Sequence, residues 1–165
     1  MILSVLFSGC AVLPKSPVVI PEKEIVAEAN DFPEQCEWYK RWRVVDGDTL
    51  KVGGVHRVRL IGIDTPEAGH HETEVEPLNE EATRFLRDLL DSSERICLMK
   101  DSTSKSVDQY GRMLRYVYTE RGVDAQIQLL EAGLAEYMRT FPYSKKAAFR
   151  KAEGAAKKSR RGLWE

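Results

Sequence analysis

The stretch over residues 46–67 constrains the fold most, because it sets charged residues at the ends of short apolar strands. Two valines run into Asp46–Thr49, where a glycine between two aspartates predicts a bend that brings both carboxylates close together. Gly53–Gly54, between apolar residues, predicts a β-hairpin. The returning strand ends at Asp64–Glu67, since its proline cannot donate to a further ladder. Arg59 inside this strand and acids at its end are costly unless they are paired or used, so the stretch predicts a site.

The segments that follow predict one folded domain over residues 36–165. A first long strand is expected over Trp38–Val45, ahead of the hairpin. Pro77 opens a predicted helix with one apolar face at helical spacing. That face consists of Ala82, Phe85, Leu86, Leu89 and Leu90. Residues 95–100 and 113–119 predict two more strands, separated by a polar loop.

Two further helices complete the predicted domain. Asp124 is placed to cap the first, and Gly133 predicts its end. Ser144 is placed to cap the second, which runs to about Lys158. The residues expected to face inward from this helix are Ala148, Phe149, Ala152, Ala155 and Ala156. This order of strands and helices indicates an α+β protein, a small antiparallel barrel with helices packed against it.

Charge is distributed unevenly along the chain. Its 165 residues, 42% of them hydrophobic, suffice for one core, and the net charge is −1. Residues 22–37 nevertheless hold six acids and one lysine, whereas residues 139–161 hold nine basic residues and one glutamate. Two interpretations of the basic run stay open: a solvated helix face, or a surface for nucleic acid.

The N-terminal residues resemble a bacterial lipoprotein signal. An apolar run ends in small residues directly before Cys10, the cysteine that would be lipidated, although no Lys or Arg precedes the run. Residues 11–35 are rich in proline and acids and predict an extended linker. We therefore expect an extracytoplasmic protein, anchored to a membrane through Cys10 or secreted. The alternative is an uncleaved hydrophobic tail on a cytosolic protein.

Three motifs in a fixed order resemble the thermonuclease, or staphylococcal nuclease, family over roughly residues 38–164. They are Asp46–Thr49, then Arg59 five residues before Asp64–Glu67, then Asp108–Arg112. The chain also ends in the Gly-Leu-Trp that the family carries. The resemblance implies a five-stranded OB-fold barrel with three helices. It further implies a monomeric, calcium-dependent nuclease that cleaves DNA and RNA at the 5′-oxygen and leaves 3′-phosphates.

The resemblance also implies roles for individual residues. Asp48, Asp64 and the carbonyl of Thr65 match the calcium ligands, and Asp46 matches an acid beside the metal. Glu67 matches the general base that activates a water. Arg59 and Arg112 match the pair that grips the phosphate, since planar guanidinium forks suit phosphate oxygens. The aromatic residues that match nucleotide contacts are Tyr110 and, more loosely, Tyr137, Phe141 and Tyr143.

Several alternatives stay open at this stage. Two interpretations are open for the aromatic residues Tyr137, Phe141 and Tyr143: they stack on bases, or they pack between the last two helices. The whole domain is a nuclease, or an inactive OB-fold module that binds nucleic acid or protein. Cys36 and Cys97 remain as an even pair once Cys10 is lipidated, and a disulfide between them is possible without being demanded.

Overall fold

The computed structural model describes residues 35–67 and 77–165. The predicted signal segment, Cys10 and most of the linker lie outside the described residues. The strands are β1 (Glu37–Tyr39), β2 (Trp42–Asp46), β3 (Thr49–Val52), β4 (His56–Leu60), β5 (Ile63–Asp64), β6 (Ile96–Met99), β7 (Met113–Thr119) and β8 (Glu136–Tyr137). The helices are α1 (Asn79–Asp91), α2 (Ala125–Ala132) and α3 (Lys146–Lys158), followed by a 3₁₀ turn over Gly162–Trp164. The α+β class with three helices is confirmed.

Six of the strands form one sheet in the order β1-β6-β7-β4-β3-β2, and β5 pairs with β8. β1 and β2 occupy opposite edges of that sheet, yet only Lys40 and Arg41 separate them along the chain. The three steps from Tyr39 to Trp42 span at most about 10 Å, so the sheet must curl until its edges approach each other. Counted as one interrupted strand, β1 and β2 make five strands with β3, β4, β6 and β7, as the OB-fold expectation requires. No ladder pairs β1 with β2 within the described residues.

The sheet corrects two details of the sequence prediction. The expected long strand over Trp38–Val45 is broken at Lys40 and Arg41, because its two parts pair with different partners. The barrel is not wholly antiparallel, because β4 and β7 run parallel. A parallel pair requires a long crossover, and residues 61–112 between the two strands supply it.

The predicted hairpin is present between β3 and β4. Its connection has three residues, because Val52 pairs with His56 across Gly53–Val55. Both Gly53 and Gly54 adopt positive φ, 57° and 82°, a region in which a side chain is costly. The two glycines therefore explain the tight turn that the sequence indicated.

The helices pack on the sheet around a single core. α1 buries Ala82, Leu86, Leu89 and Leu90 as its spacing predicted, although it begins at Asn79 rather than at Pro77. α2 begins after Asp124, whose side chain accepts from the Ile127 N–H, and ends at Gly133 in the left-handed region with φ 75°. These two boundaries are confirmed.

The last helix departs from prediction at its start and on one face. Ser144 does not cap α3; its N–H and hydroxyl both donate to Asp101, at 2.7 and 2.5 Å. Ala148 and Ala155 are exposed rather than turned inward. The buried face of α3 consists of Phe149, Ala152, Glu153 and Ala156. This face packs against α2, and the Phe149 ring contacts Tyr116 of β7.

A disulfide joins Cys36 to Cys97, with 5.5 Å between their Cα atoms. Cys97 pairs with Trp38 in the ladder between β1 and β6, so Cys36 lies one step beyond β1 against its partner strand. The bridge thereby ties the first edge of the sheet to β6. In the described part of the chain, no helix is long and apolar enough to cross a membrane.

Candidate active site

The turn between β2 and β3 places the first carboxylates. An irregularity between Val44 and Asp46 shifts the register of the ladder, so that Asp46 pairs with Thr49 across a two-residue turn. Gly47 occupies that turn, where a Cβ would lie 2.7 Å from Thr65 Oγ1 and 2.9 Å from the Ala82 methyl. Its φ is not positive, so this close approach, rather than a special bend, is what requires glycine.

Asp48 is buried, 5% exposed, and its carboxylate accepts several hydrogen bonds. Oδ1 accepts from the Thr49 hydroxyl at 3.1 Å, and Oδ2 accepts from both the N–H and the hydroxyl of Thr65 at 3.2 Å. Asp46 Oδ1 in turn accepts from the Asp48 N–H at 3.1 Å. The turn, Asp48 and the end of β5 therefore form one hydrogen-bonded unit.

Arg59 forms ion pairs with both carboxylates that the family resemblance assigns to the metal. Its Nη2 lies 2.8 Å from Asp48 Oδ2 and 2.7 Å from Asp64 Oδ1. Its Nη1 donates to the carbonyls of Ile63, at 2.9 Å, and Leu60, at 3.2 Å. The side chain is only 12% exposed, so the β4–β5 turn holds the guanidinium in one orientation.

Burial raises the pKa of Asp48 to about 7. The positive charge of Arg59 opposes this rise, and the negative charge of Asp46 adds to it. Burial thus makes the charged form of this carboxyl costly, and Arg59 offsets only part of that cost.

The residues present fit a hard cation such as Ca²⁺. Asp48 and Asp64 contribute carboxylate oxygens, Thr65 offers a backbone carbonyl, and the Asp64 side chain is 57% exposed, which leaves room for water ligands. Within residues 35–67 and 77–165, no group of three or more His, Cys, Asp or Glu side chains forms a metal cluster. The exposure of the Asp64 side chain suits an ion that keeps part of its water shell.

Arg112 is held by Asp108, four residues earlier. Asp108 Oδ2 accepts from Arg112 Nε at 2.6 Å, and Oδ1 accepts from the N–H groups of Tyr110 and Arg112 at 2.9 Å. Gly111 completes this loop with φ 77°. Asp108 thus engages Arg112 through Nε rather than through its two terminal nitrogens. The sequence motif contained Asp108, but its anchoring role was not predicted.

Arg59 and Arg112 line the same cavity, of about 500 Å³. Its walls also include Tyr110, which is 74% exposed, and Phe141, which is 56% exposed. The Arg112 guanidinium lies 5.5 Å from the centre of the Tyr110 ring. Two cations beside exposed aromatic rings can accept a phosphate together with a base.

The three loosely assigned aromatic residues divide between packing and the cavity. Tyr143 is 5% exposed; its hydroxyl donates to the Met138 carbonyl at 2.9 Å, and its ring packs 5.6 Å from Phe149. Tyr137 lies in β8 with the Arg139 guanidinium 4.8 Å above its ring. Phe141 therefore has the exposed ring suited to stacking, whereas Tyr143 serves mainly to pack α3.

Glu67 is exposed and follows Thr65 and Pro66 at the end of β5. Asn79, buried at the start of α1, donates from Nδ2 to the Pro66 carbonyl at 2.6 Å. Asn79 therefore fixes the segment that carries Glu67. This contact is not predictable from the sequence, because an asparagine that opens a helix gives no sign of a partner 13 residues earlier.

Comparison with known proteins agrees with this geometry. Residues 57–165 match the family model described as staphylococcal nuclease homologue. The chain belongs to the staphylococcal nuclease family. It is 37% identical over 127 residues to the SPbeta prophage-derived endonuclease YokF of Bacillus subtilis, covering 74% of this chain and 42% of that protein. It is 36% identical over 133 residues to the thermonuclease of Staphylococcus intermedius, covering 78% of this chain and 77% of that protein.

A further relative is the thermonuclease of Staphylococcus hyicus, 33% identical over 132 residues, which covers 76% of this chain and 75% of that protein. The chain thus spans less than half of YokF but about three quarters of each staphylococcal enzyme. Family membership explains why the motifs Asp46–Thr49, Asp64–Glu67 and Asp108–Arg112 occur together.

Proposed function

We propose that this domain is a nuclease that hydrolyses phosphodiester bonds of DNA and RNA. The observation that carries the proposal is the convergence of Arg59 and Arg112 on one cavity, with Arg59 also bonded to Asp48 and Asp64. The relatives named thermonuclease and endonuclease support it.

The two arginines stabilise the charge that grows on the phosphate during attack. The terminal nitrogens of Arg112, left over from its contact with Asp108, suit two oxygens of one phosphate. Guanidinium donors fixed before reaction favour the transition state more than the ground state, because charge on the equatorial oxygens increases there. Asp108 holds Arg112 in this way. The terminal nitrogens of Arg59 are bonded to Asp48, Asp64 and two carbonyls, so Arg59 exchanges one of these partners for the phosphate when substrate binds.

The hydrolysis we propose follows an in-line displacement. A water oxygen forms the new bond to phosphorus while Glu67 accepts a proton from that water. The bond from phosphorus to the 5′-oxygen breaks, and the leaving oxygen takes up a proton. The products are a 3′-phosphate and a free 5′-hydroxyl.

Ca²⁺ is the cofactor we propose, held by Asp48, Asp64 and the Thr65 carbonyl beside Asp46. When bound, such an ion supplies positive charge next to the phosphate. The oxygen atoms that Asp48, Asp64 and Thr65 offer, together with the exposure of the Asp64 side chain, support this choice of ion.

For location, we propose that Cys10 carries a lipid and holds the domain outside the cytoplasm at a membrane surface. The apolar run before Cys10 and the proline-rich segment after it support this. Wild type should partition into a detergent phase, since each buried methylene contributes about 0.8 kcal/mol, and Cys10→Ala should not. Equal partition of both would overturn the anchor.

A plasmid digestion tests the activity. Wild type should degrade plasmid in calcium and stop in EGTA. Arg59→Lys and Glu67→Gln should each slow cleavage by about 100-fold or more, because a point charge cannot replace the fork and an amide cannot accept the proton. Arg57→Lys, on the exposed side of the same strand, is the matched control and should be unchanged.

The competing function is an inactive module that binds nucleic acid or protein. It predicts that the wild-type protein slows the migration of plasmid in a gel-shift assay but leaves the plasmid uncut in calcium. It further predicts no difference between wild type and Glu67→Gln in any cleavage assay. Either result would overturn the nuclease proposal.

A further inference from the structure

The exposed face of α3 carries positive charge that the proposed catalytic site does not use. We propose that this face is a second nucleic-acid contact, which binds the sugar–phosphate backbone outside the catalytic cavity. The proposal rests on the nuclease function and specifies how a long substrate is held. We call the surface the α3 basic face and define it by Ala147, Arg150, Lys151, Gly154 and Lys158.

Three of these residues are cations on the solvent side of α3. Glu153, buried in α3, forms ion pairs with Arg139 at 3.5 Å and Lys157 at 2.6 Å. Elsewhere in the described residues, no ion pair reaches Arg150, Lys151 or Lys158, and all three are exposed. Three exposed cations on one helix complement the charge of an external polyanion.

Helical geometry arranges this charge as a line. Successive residues turn by about 100°, so Lys151 and Lys158, seven residues apart, project from the same side about 10 Å apart. Ala147 and Gly154 lie on that side too, between or beside the lysines. Phe149, Ala152 and Ala156 face the core on the other side. The lysines thus flank a strip with almost no side-chain bulk.

Gly154 is the residue that most favours close approach of a ligand. A Cβ placed on it would meet nothing within 4 Å, so packing inside the protein does not require a glycine there. Glycine inside a helix costs about 0.5–1 kcal/mol relative to alanine. A phosphate backbone lying against the helix would use the space that its missing side chain leaves.

The start of α3 lies beside the proposed catalytic cavity, which favours nucleic acid as the occupant of the α3 basic face. Lys146, at the first turn of α3, donates to the carbonyls of Arg139 and Phe141, and Phe141 lines the cavity. From Lys146 to Lys158 the helix rises about 18 Å. Phosphates along one strand are spaced about 3.4 Å apart along the axis, so this length matches about five nucleotides. A strand leaving the cavity can continue along the helix.

Binding to long DNA in calcium-free buffer tests the proposal. The triple variant Arg150→Gln, Lys151→Gln, Lys158→Gln removes three charges while keeping helix propensity. The control triple variant Arg57→Gln, Arg84→Gln, Arg87→Gln removes three exposed charges elsewhere. Anisotropy with a labelled duplex of about 30 base pairs should show about tenfold weaker binding for the first variant only. The slope of log K against log salt should fall by about 2 to 3, because each phosphate contact contributes about 0.9.

Cleavage of a dinucleotide separates this proposal from the nuclease proposal. A dinucleotide fills only the cavity, so the α3 triple variant should cleave it with unchanged kcat/KM. Failure of the wild-type protein to cut any substrate would overturn the nuclease function. The anisotropy measurement would still decide whether the α3 basic face binds DNA.

Gly154 provides an independent variant. Gly154→Ala should bind long DNA as wild type does, whereas Gly154→Gln should weaken binding severalfold by occupying the approach. Equal binding and equal salt slopes for wild type and the α3 triple variant would overturn the proposal. The proposal would also be overturned if the α3 triple variant lost binding to vesicles of anionic lipid while its DNA binding stayed unchanged. The face would then serve a membrane.

Discussion

At the scale of single residues, Asp108 determines how Arg112 meets a phosphate. Burial alone would raise the pKa of Asp108, but the hydrogen bonds from the Arg112 side chain and from backbone N–H groups outweigh it and lower that pKa. The carboxylate is therefore charged throughout the neutral range. It orients Arg112 through Nε and fixes the loop that presents Tyr110. We regard Asp108 as a positioning residue.

Replacing Asp108 by Asn should lower kcat by about 10- to 100-fold with little change in KM. The variant would leave the Arg112 guanidinium misoriented, and its correct orientation matters most in the transition state. Arg112→Lys should lower kcat more. In an Arg112→Lys background, Asp108→Asn should cause almost no further loss, since there is no fork left to orient. Additive losses in this double-mutant cycle would show that Asp108 does not act through Arg112.

At the scale of elements, Asp101 connects the loop after β6 to β7 and to the start of α3. Its carboxylate accepts from the Tyr116 hydroxyl at 2.5 Å, from the N–H and hydroxyl of Ser144, and from the N–H and hydroxyl of Thr103. Burial would raise its pKa, but these donors, Ser144 first, lower that pKa well below its usual value. The network positions the segment that leads from the cavity into α3.

The lowered pKa of Asp101 predicts the sign of a pH effect. Its stabilisation is complete above the unfolded pKa, about 3.9, and is lost as the pH falls through the folded value. Asp101→Asn should therefore lower the unfolding free energy by at least about 2 kcal/mol at neutral pH, because donors lose a charged acceptor. Urea unfolding should show this difference shrinking below about pH 4. A difference independent of pH would contradict the assignment.

At the scale of the whole molecule, the curled sheet depends on how its first edge is held. β1 has three residues and pairs with β6, and the Cys36–Cys97 bridge closes a loop of 61 residues at that edge. A covalent link of this length restricts the unfolded chain far more than a short hairpin would. The short edge strand thereby gains a stability that three ladder pairs alone do not provide.

Removing this bridge should lower stability without changing the fold. The Cys36→Ser, Cys97→Ser variant should lose about 4 kcal/mol of unfolding free energy, as the chain-entropy estimate for this loop length indicates. In a Cys10→Ala background, the denatured chain should show no free thiols before reduction and two afterwards. Two thiols before reduction would contradict the bridge.

Features that depend on near neighbours could be predicted from the amino-acid sequence. The apolar face of α1, the cap at Asp124, the stop at Gly133 and the strand Met113–Thr119 follow from periodicity and capping within a few residues. The motifs around Asp48, Arg59 and Arg112 also indicated the site, because buried charge at strand ends requires a use. Their roles, as opposed to their presence, rested on a family resemblance.

Features that depend on distant partners became visible in the folded protein alone. Ser144 bonds Asp101, 43 residues away, instead of capping its own helix. Gly47 is required by Thr65 and Ala82 rather than by its own turn. The break at Lys40–Arg41 and the parallel pairing of β4 with β7 arise from closing the sheet. Local patterns report the conformational preferences of a segment, whereas these features are set by which segments meet, and that is resolved only when the chain packs as a whole.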